Sequence, residues 1–134
     1  MQILIVEDDF ISRRLLCRYL EPLGNCDMAV NGKEALAAVR STLESGDHYN
    51  LICLDIMMPE MDGHEVLEGV RQLEDQHDIP AEQRCRVVMT SALEKQEIID
   101  KTKDAEADDY IVKPIVRRNF METLERLGLT APAD

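Results

Sequence analysis

No apolar run in this 134-residue chain approaches the roughly 20 residues that a helix needs to cross a bilayer. The opening stretch, Met1-Gln2-Ile3-Leu4-Ile5-Val6-Glu7-Asp8-Asp9, is apolar for only four residues before it turns acidic, so it does not read as an export signal. Basic residues are in short supply: 15 Lys and Arg face 27 Asp and Glu, a formal charge of −12 with a pI near 4.6. Neutralising a phosphate backbone needs a surplus of Lys and Arg on one face, which excludes bare DNA or RNA as a partner, and an anionic membrane surface is excluded on the same ground. Neither GxGxxG nor GxxxxGK[ST] occurs, which argues against a nucleotide site. The four cysteines, Cys17, Cys26, Cys53 and Cys85, form no CxxC pair, and His48, His64 and His77 are not spaced beside them as zinc ligands. Cys17 and Cys53 lie within apolar segments and read as buried thiols, and a reducing, cytoplasmic location is expected. No repeat or low-complexity segment interrupts the chain.

With 45% hydrophobic and 31% charged residues, the chain has the composition of one folded domain. At this length, folding buries roughly two-thirds of the unfolded surface, so a core forms without staples. Short apolar runs alternate with amphipathic stretches five times. Ile3 to Val6, Leu51 to Leu54, Val87 to Met89 and Tyr110 to Val112 are continuous apolar runs, the mark of strands covered on both faces, with a weaker strand at 27–30. Between them, a helix at about 11–23 places Ile11, Leu15, Leu16, Tyr19, Leu20 and Leu23 on one stripe, ended near Gly24. A second helix carries Ala35, Leu36, Val39 and Leu43, and a third, after Gly63, carries Val66, Leu67, Val70 and Leu73. The last presents Phe120, Met121, Leu124 and Leu127. This alternation predicts an α/β fold, a doubly wound parallel sheet with helices on both faces. Two stretches break the rhythm. Residues 74–86 form a long polar connection with Pro80, either a partner contact or, the plainer reading, a tolerated surface insertion, and the 94–106 helix is poor in apolar residues and should dock loosely. The domain is expected over 1–129, with 130–134 a loose tail.

In such a sheet, ligand sites form beyond the carboxyl ends of the strands, where strand order reverses. Those ends carry Glu7, Asp8 and Asp9 on the first strand, Asp55 on the third, Thr90 and Ser91 on the fourth, and Lys113 on the fifth. Crowded carboxylates repel one another, a cost that a divalent cation removes. Mg²⁺ prefers one or two carboxylates, retained waters and phosphate oxygens, and a lysine adds a point charge suited to a phosphoryl group. These are the parts that phosphoryl transfer to Asp55 needs. Taken singly, each has a plainer reading as a helix cap, a turn or a solvated charge.

Four motifs carry a resemblance: Ile3-Leu4-Ile5-Val6-Glu7-Asp8-Asp9, Leu54-Asp55-Ile56-Met57-Met58-Pro59-Glu60-Met61-Asp62-Gly63, Met89-Thr90-Ser91-Ala92 and Asp109-Tyr110-Ile111-Val112-Lys113-Pro114-Ile115. From about Gln2 to Leu129 the chain resembles the receiver domain of bacterial two-component response regulators, especially the single-domain, chemotaxis-type members. The resemblance implies a five-stranded parallel sheet of order 2-1-3-4-5 flanked by five helices, the flavodoxin-like arrangement. It implies that Asp55 accepts a phosphoryl group from a histidine kinase or a phosphotransfer protein. Asp8 is then a direct ligand of Mg²⁺ (or Mn²⁺ in its place), Asp55 another, Glu7 an acid acting through metal-bound water, and Met57 a ligand through its backbone carbonyl. Ser91 matches the switch hydroxyl, with Thr90 one position early and on the other side of the strand. Lys113 matches the lysine that pairs with the acceptor and then the phosphate, across a cis peptide to Pro114. Tyr110 matches the aromatic switch residue.

On this reading the chain is a phospho-acceptor switch that catalyses its own phosphorylation and dephosphorylation, and is not an enzyme in the ordinary sense. Its output is a changed surface on the fourth helix, fifth strand and fifth helix, read by a downstream protein because no output domain follows. Met57 and Leu93 occupy the positions that in this family tune phosphate removal by water, and both are apolar, which predicts a long-lived signal. The rest of the negative charge, including Asp104, Glu106, Asp108 and Asp109, is read as solvated surface. Rival readings are a Mg²⁺-dependent aspartyl-phosphate phosphatase and a receiver-like scaffold that works without phosphorylation. The first strand lacks the DxDx(T/V) spacing of the phosphatases, and intact Glu7, Asp8, Asp55, Ser91 and Lys113 argue against the scaffold.

Overall fold

The computed structural model describes residues 1–92 and 107–130. Its sheet consists of β1 (Gln2–Val6), β2 (Asn25–Ala29), β3 (Leu51–Asp55), β4 (Arg86–Ser91) and β5 (Asp109–Val112), all parallel, in the order β2-β1-β3-β4-β5. Four α-helices are described: α1 (Phe10–Leu20), α2 (Gly32–Glu44), α3 (Gly63–Gln76) and α4 (Arg117–Arg126), with 3-10 turns at Glu21–Leu23 and Ala81–Gln83. This is the doubly wound architecture expected from the alternation. The expected 94–106 helix, the fifth, lies outside the described residues.

The three central strands are buried almost throughout because their apolar runs face helices on both sides. Strand alternation divides the core in two. Leu4, Val6, Ile52, Leu54, Val87 and Met89 point toward α2 and α3. Ile3, Ile5, Leu51, Cys53 and Val88 point the other way, toward α1 and α4, where Leu16, Leu20, Phe120 and Leu124 meet them. Asp9, Asn31 and Asp62 cap α1, α2 and α3 by accepting the backbone N–H of Ser12, Glu34 and Glu65. The order places the reversal between β1 and β3, so the crevice opens at the ends that carry Glu7, Asp8 and Asp55.

Five expectations are corrected. Ile11 is 75% exposed, so the buried stripe of α1 starts at Leu15 and Leu16 and not at Ile11. The second strand lies at Asn25–Ala29, two residues earlier than read, because its pairing with β1 and not its own apolar content sets its register. Cys17 is only half-buried. The 74–86 stretch is not connection throughout: α3 runs on through Gln76 and Glu74 is buried, while 77–84 lies at the surface. The Glu74 carboxylate accepts Arg71 Nη1 at 2.7 Å and the Cys85 N–H at 2.8 Å, while Arg71 also donates to the Cys85 carbonyl at 3.0 Å and reaches Asp108 at 3.6 Å. Asp108 is correspondingly no solvated charge. It accepts the Val87 N–H at 2.7 Å and pairs with Arg86, and Asp109 pairs with Arg126 at 3.0 Å.

Candidate functional site: an acidic crevice closed by a lysine

The end of β1 delivers Glu7 into the interior, with 0% exposure, and Asp8 to solvent. The Glu7 N–H is held by the Ala29 carbonyl at 3.1 Å, and Arg13 from the first turns of α1 donates to the Glu7 carbonyl at 2.8 Å. Asp55 closes β3 at 3% exposure, opposite Thr90 in the ladder. Its Oδ1 accepts the Met57 N–H at 3.1 Å, which turns the following loop back over the carboxylate. That loop is tight: Glu60 adopts φ 68°, Met61 N–H reaches the Pro59 carbonyl at 2.8 Å, and Gly63 N–H reaches the Ile56 carbonyl at 2.9 Å. Gly63 is required here because a Cβ would come within 2.7 Å of the Asp55 carbonyl oxygen and of Ile56 Cα. The start of α3 is thereby pinned against the end of β3.

Carboxylate oxygens of Glu7, Asp8 and Asp55 all lie within 4.8 Å of one another. Lys113, just past β5 with a cis peptide to Pro114, enters from the opposite side. Its Nζ donates to Glu7 Oε1 at 2.5 Å and lies 3.5 Å from Asp55 Oδ2, so it bridges both acids and sits nearer Glu7. The Lys113 N–H bonds the Ser91 carbonyl at 2.7 Å, which fixes the lysine's backbone to the end of β4. Burial pushes the Asp55 carboxyl up to about 8, helped by the hydrogen bond and charge of Glu7 and opposed by Lys113 and the Met57 N–H. Burial pulls Lys113 down, but its hydrogen bond to Glu7 and the charges of Asp55 and Glu7 outweigh this and leave it above the ordinary lysine value. Glu7 Oε2 is buried with no hydrogen-bond partner among the described residues. A buried acceptor left open beside two further carboxylates suits a cation with its waters.

Ser91 is fully buried at the end of β4, one residue past Thr90, and Thr90 is buried as well. Alternation along β4 sets Ser91 on the side of Val87 and Met89, the α2 and α3 side, and Thr90 on the other. Tyr110, the ladder partner of Met89, is half-buried and packs on that same side. Ser91 and Tyr110 therefore share a face of the β4–β5 edge. Met57 is 59% exposed above Asp55, and Leu93 lies outside the described residues. Sequence reasoning missed Arg13. Its contribution runs through backbone carbonyls of Glu7 and Asp8, and a helical arginine carries no sign of that in sequence.

The chain belongs to the response regulator receiver domain family, whose model matches residues 3–125. Among curated relatives, it is 35% identical over 128 residues to hybrid signal transduction histidine kinase L of Dictyostelium discoideum, covering 95% of this chain and 7% of that protein. It is also 35% identical over 128 residues to the regulatory protein VanRB of Enterococcus faecalis, covering 95% and 52%. The chain thus spans about half, or far less, of the length of these relatives, which come from a eukaryote as well as a bacterium. Among solved structures, the CheX-CheY-BeF3-Mg complex of Borrelia burgdorferi superposes with a TM-score of 0.80 at 26% identity, covering 97% of this chain and 90% of that one. The receiver domain of the histidine kinase CKI1 from Arabidopsis thaliana, complexed with Mg²⁺ and BeF3−, gives 0.74 at 27% identity, covering 92% and 89%. Among the described residues, no helix is long and apolar enough to cross a membrane.

Proposed function

We propose that the chain is a phosphorelay receiver whose Asp55 takes a phosphoryl group from a phosphohistidine of a kinase or phosphotransfer protein, and that the modified domain acts through a downstream protein. The observation that carries this reading is the convergence of Glu7, Asp8 and Asp55 within 4.8 Å, with Lys113 bridging Glu7 and Asp55. Asp8, Asp55 and the Met57 carbonyl are the groups to hold Mg²⁺ directly, with Glu7 acting through water. When bound, the cation neutralises the carboxylates and the incoming phosphoryl oxygens. An Asp55 oxygen attacks phosphorus, the P–N bond to the donor breaks, and the imidazole leaves with a proton. Lys113 is already within reach of the new phosphoryl oxygens, so positioning and charge do the work and no separate base is needed. The added charge, about −2, draws Lys113 from Glu7 and the Ser91 hydroxyl toward the phosphate. Tyr110, on the same face as Ser91, then repacks, which changes the surface of β5 and α4.

Incubation with Mg²⁺ and a small acyl phosphate, read by intact mass, tests this. One phosphoryl group should be gained per chain, none in Asp55→Ala and none in EDTA. Sustained catalytic consumption of the donor without a modified protein would favour the aspartyl-phosphate phosphatase instead. Normal partner binding by Asp55→Ala would favour a phosphorylation-independent scaffold.

A further inference from the structure

Residues 7–13 form a closed circuit at the end of β1. The Glu7 N–H bonds the Ala29 carbonyl at 3.1 Å and its side chain takes the Lys113 ammonium, so this residue is tied to the end of β2 and to the segment after β5. Asp9 turns the chain into α1: its carboxylate accepts the Ser12 N–H at 2.9 Å, and its carbonyl accepts the Arg13 N–H at 2.9 Å. The Arg13 side chain then returns to the strand end. Its Nη1 donates to the Glu7 carbonyl at 2.8 Å and reaches the Asp8 carbonyl at 3.5 Å, with the guanidinium 5.6 Å from the centroid of the Phe10 ring. Asp8 is the exposed member of the carboxylate cluster, and its backbone is strapped from both sides of the turn.

By charge alone, a guanidinium at the edge of an acidic pocket opposes the binding of a cation there. Among the described residues, however, the hydrogen bonds of the Arg13 side chain go to carbonyl oxygens and so fix the backbone that carries Glu7 and Asp8. Arg14 supplies a contrast within the same turn. It carries the same charge and lies over the same ring at 5.6 Å, but it is exposed and, among the described residues, makes no hydrogen bond to Glu7 or Asp8.

We propose that Arg13 is a positioning residue for the divalent cation, holding the Glu7–Asp8 backbone so that the Asp8 carboxylate stands beside Glu7 and Asp55 before the cation arrives. The inference rests on the receiver reading above and adds to it a residue that touches neither the cation nor the phosphoryl group. A loop strapped in advance loses little freedom when its carboxylate is engaged, whereas an unstrapped loop is ordered at a cost in affinity. Strap and charge therefore act in opposite directions on cation affinity. Removing the strap weakens Mg²⁺; removing the charge alone tightens it.

The test titrates MgCl2 into the metal-free full chain at constant ionic strength and takes Kd from the rise in Tm. Arg13→Met, which keeps an unbranched stem against Phe10, should raise Kd about tenfold, the lower end of what loss of a ligand's outer partner does. Arg14→Met should leave Kd unchanged or lower it slightly. Arg13→Lys keeps the charge, but its ammonium ends one bond short of the Nη1 position, so Kd should rise roughly threefold or more. This milder variant keeps the test open where Arg13→Met does not fold. In EDTA, amide exchange over residues 7–10 should quicken in both Arg13 variants while that of Leu51–Asp55 stays unchanged, which a merely global loss of stability would not produce. The initial rate of phosphorylation by a small acyl phosphate should fall at low Mg²⁺ and return to the wild-type value at saturating Mg²⁺. A Kd in Arg13→Met no weaker than in Arg14→Met, a wild-type Kd in Arg13→Lys, equal loosening of all strands or a rate deficit that persists at saturating Mg²⁺ would overturn the proposal. Failure of the receiver reading itself looks different: the wild-type chain would then show neither a Mg²⁺-specific rise in Tm nor phosphorylation.

Discussion

Asp55 is held under opposing demands. Its backbone belongs to a fully buried strand, its side chain lies against Glu7, and Lys113 and the Met57 N–H offset the two negative charges. A carboxyl whose folded-state value is raised from 3.8 to about 8 binds its proton more tightly when folded. The stability it contributes is complete below about pH 4 and is lost as pH rises through 8. In EDTA, the Tm of the wild-type chain relative to Asp55→Asn should therefore fall between pH 4 and pH 8, and Mg²⁺ should close the gap at the upper end. Parallel melts of the two proteins across that range check this, and a constant difference would show that Asp55 is ionised throughout. Met57 has a different consequence. Its exposed thioether side chain over the acceptor can exclude water but cannot orient it, so phospho-Asp55 should decay roughly tenfold faster in Met57→Asn with Leu93→Glu than in wild type, followed by intact mass. Glu7, Asp8, Asp55 and Lys113 were legible in sequence because each ends an apolar run, and strand ends are where a parallel sheet gathers its ligands. Arg13 was not, since its hydrogen bonds go to carbonyl groups.

Among the elements, periodicity found every described α-helix, because each buries an apolar stripe that recurs at three and four residues. It failed at the end of α3. Glu74 follows Val70 by four positions and so falls on the buried stripe, where a carboxylate in sequence looks like the point at which burial stops. What makes it tolerable is non-local: the Cys85 N–H comes from the approach to β4, and Asp108, which shares Arg71, from the approach to β5. The edge strand β2 was misplaced for a related reason, since three of its five residues are exposed and only its pairing with β1 defines it. The Arg71–Glu74 cluster ties α3, β4 and the residues leading into β5 together at the end of the sheet away from the acidic crevice. Glu74→Leu takes away the acceptor of the Cys85 N–H and one partner of Arg71, which keeps the Cys85 carbonyl and Asp108, and should cost about 3 kcal/mol in urea unfolding, since breaking one half of a buried pair weakens the other. Arg71→Met combined with Glu74→Leu should cost less than the sum of the two single changes. Phosphorylation of Asp55 by a small donor should proceed in both variants wherever they are folded. Equal and additive losses would mean that the ion pair contributes nothing beyond its separate contacts.

At the scale of the whole molecule, the net charge of −12 acts in two ways that solution conditions can separate. Most of the acidic side chains are spread over the surface, where their mutual repulsion opposes the compact state and is screened by any salt, because the Debye length falls from about 30 Å at 0.01 M to about 10 Å at 0.1 M. Glu7, Asp8 and Asp55 are instead crowded within 4.8 Å, two of them buried, where a monovalent salt screens poorly and a specifically bound divalent cation acts directly. Raising NaCl over that range should therefore increase Tm by a few degrees and do so equally in wild type and in Asp8→Ala. Adding millimolar MgCl2 at constant ionic strength should increase Tm further in wild type, by RT ln(1 + [Mg²⁺]/Kd) in free energy, and the increment should be lost in Asp8→Ala. If Mg²⁺ and Na⁺ at matched ionic strength were equivalent, the acidic crevice would hold no specific cation, and the route from sheet topology to phosphoryl chemistry would break at its first step. If the Mg²⁺ increment survived in Asp8→Ala but vanished in Asp55→Asn, the acceptor itself would dominate the site. A small part of the −12 charge, Glu7, Asp8 and Asp55, would then be gathered, through the reversal of strand order between β1 and β3, at a crevice suited to receive a phosphoryl group.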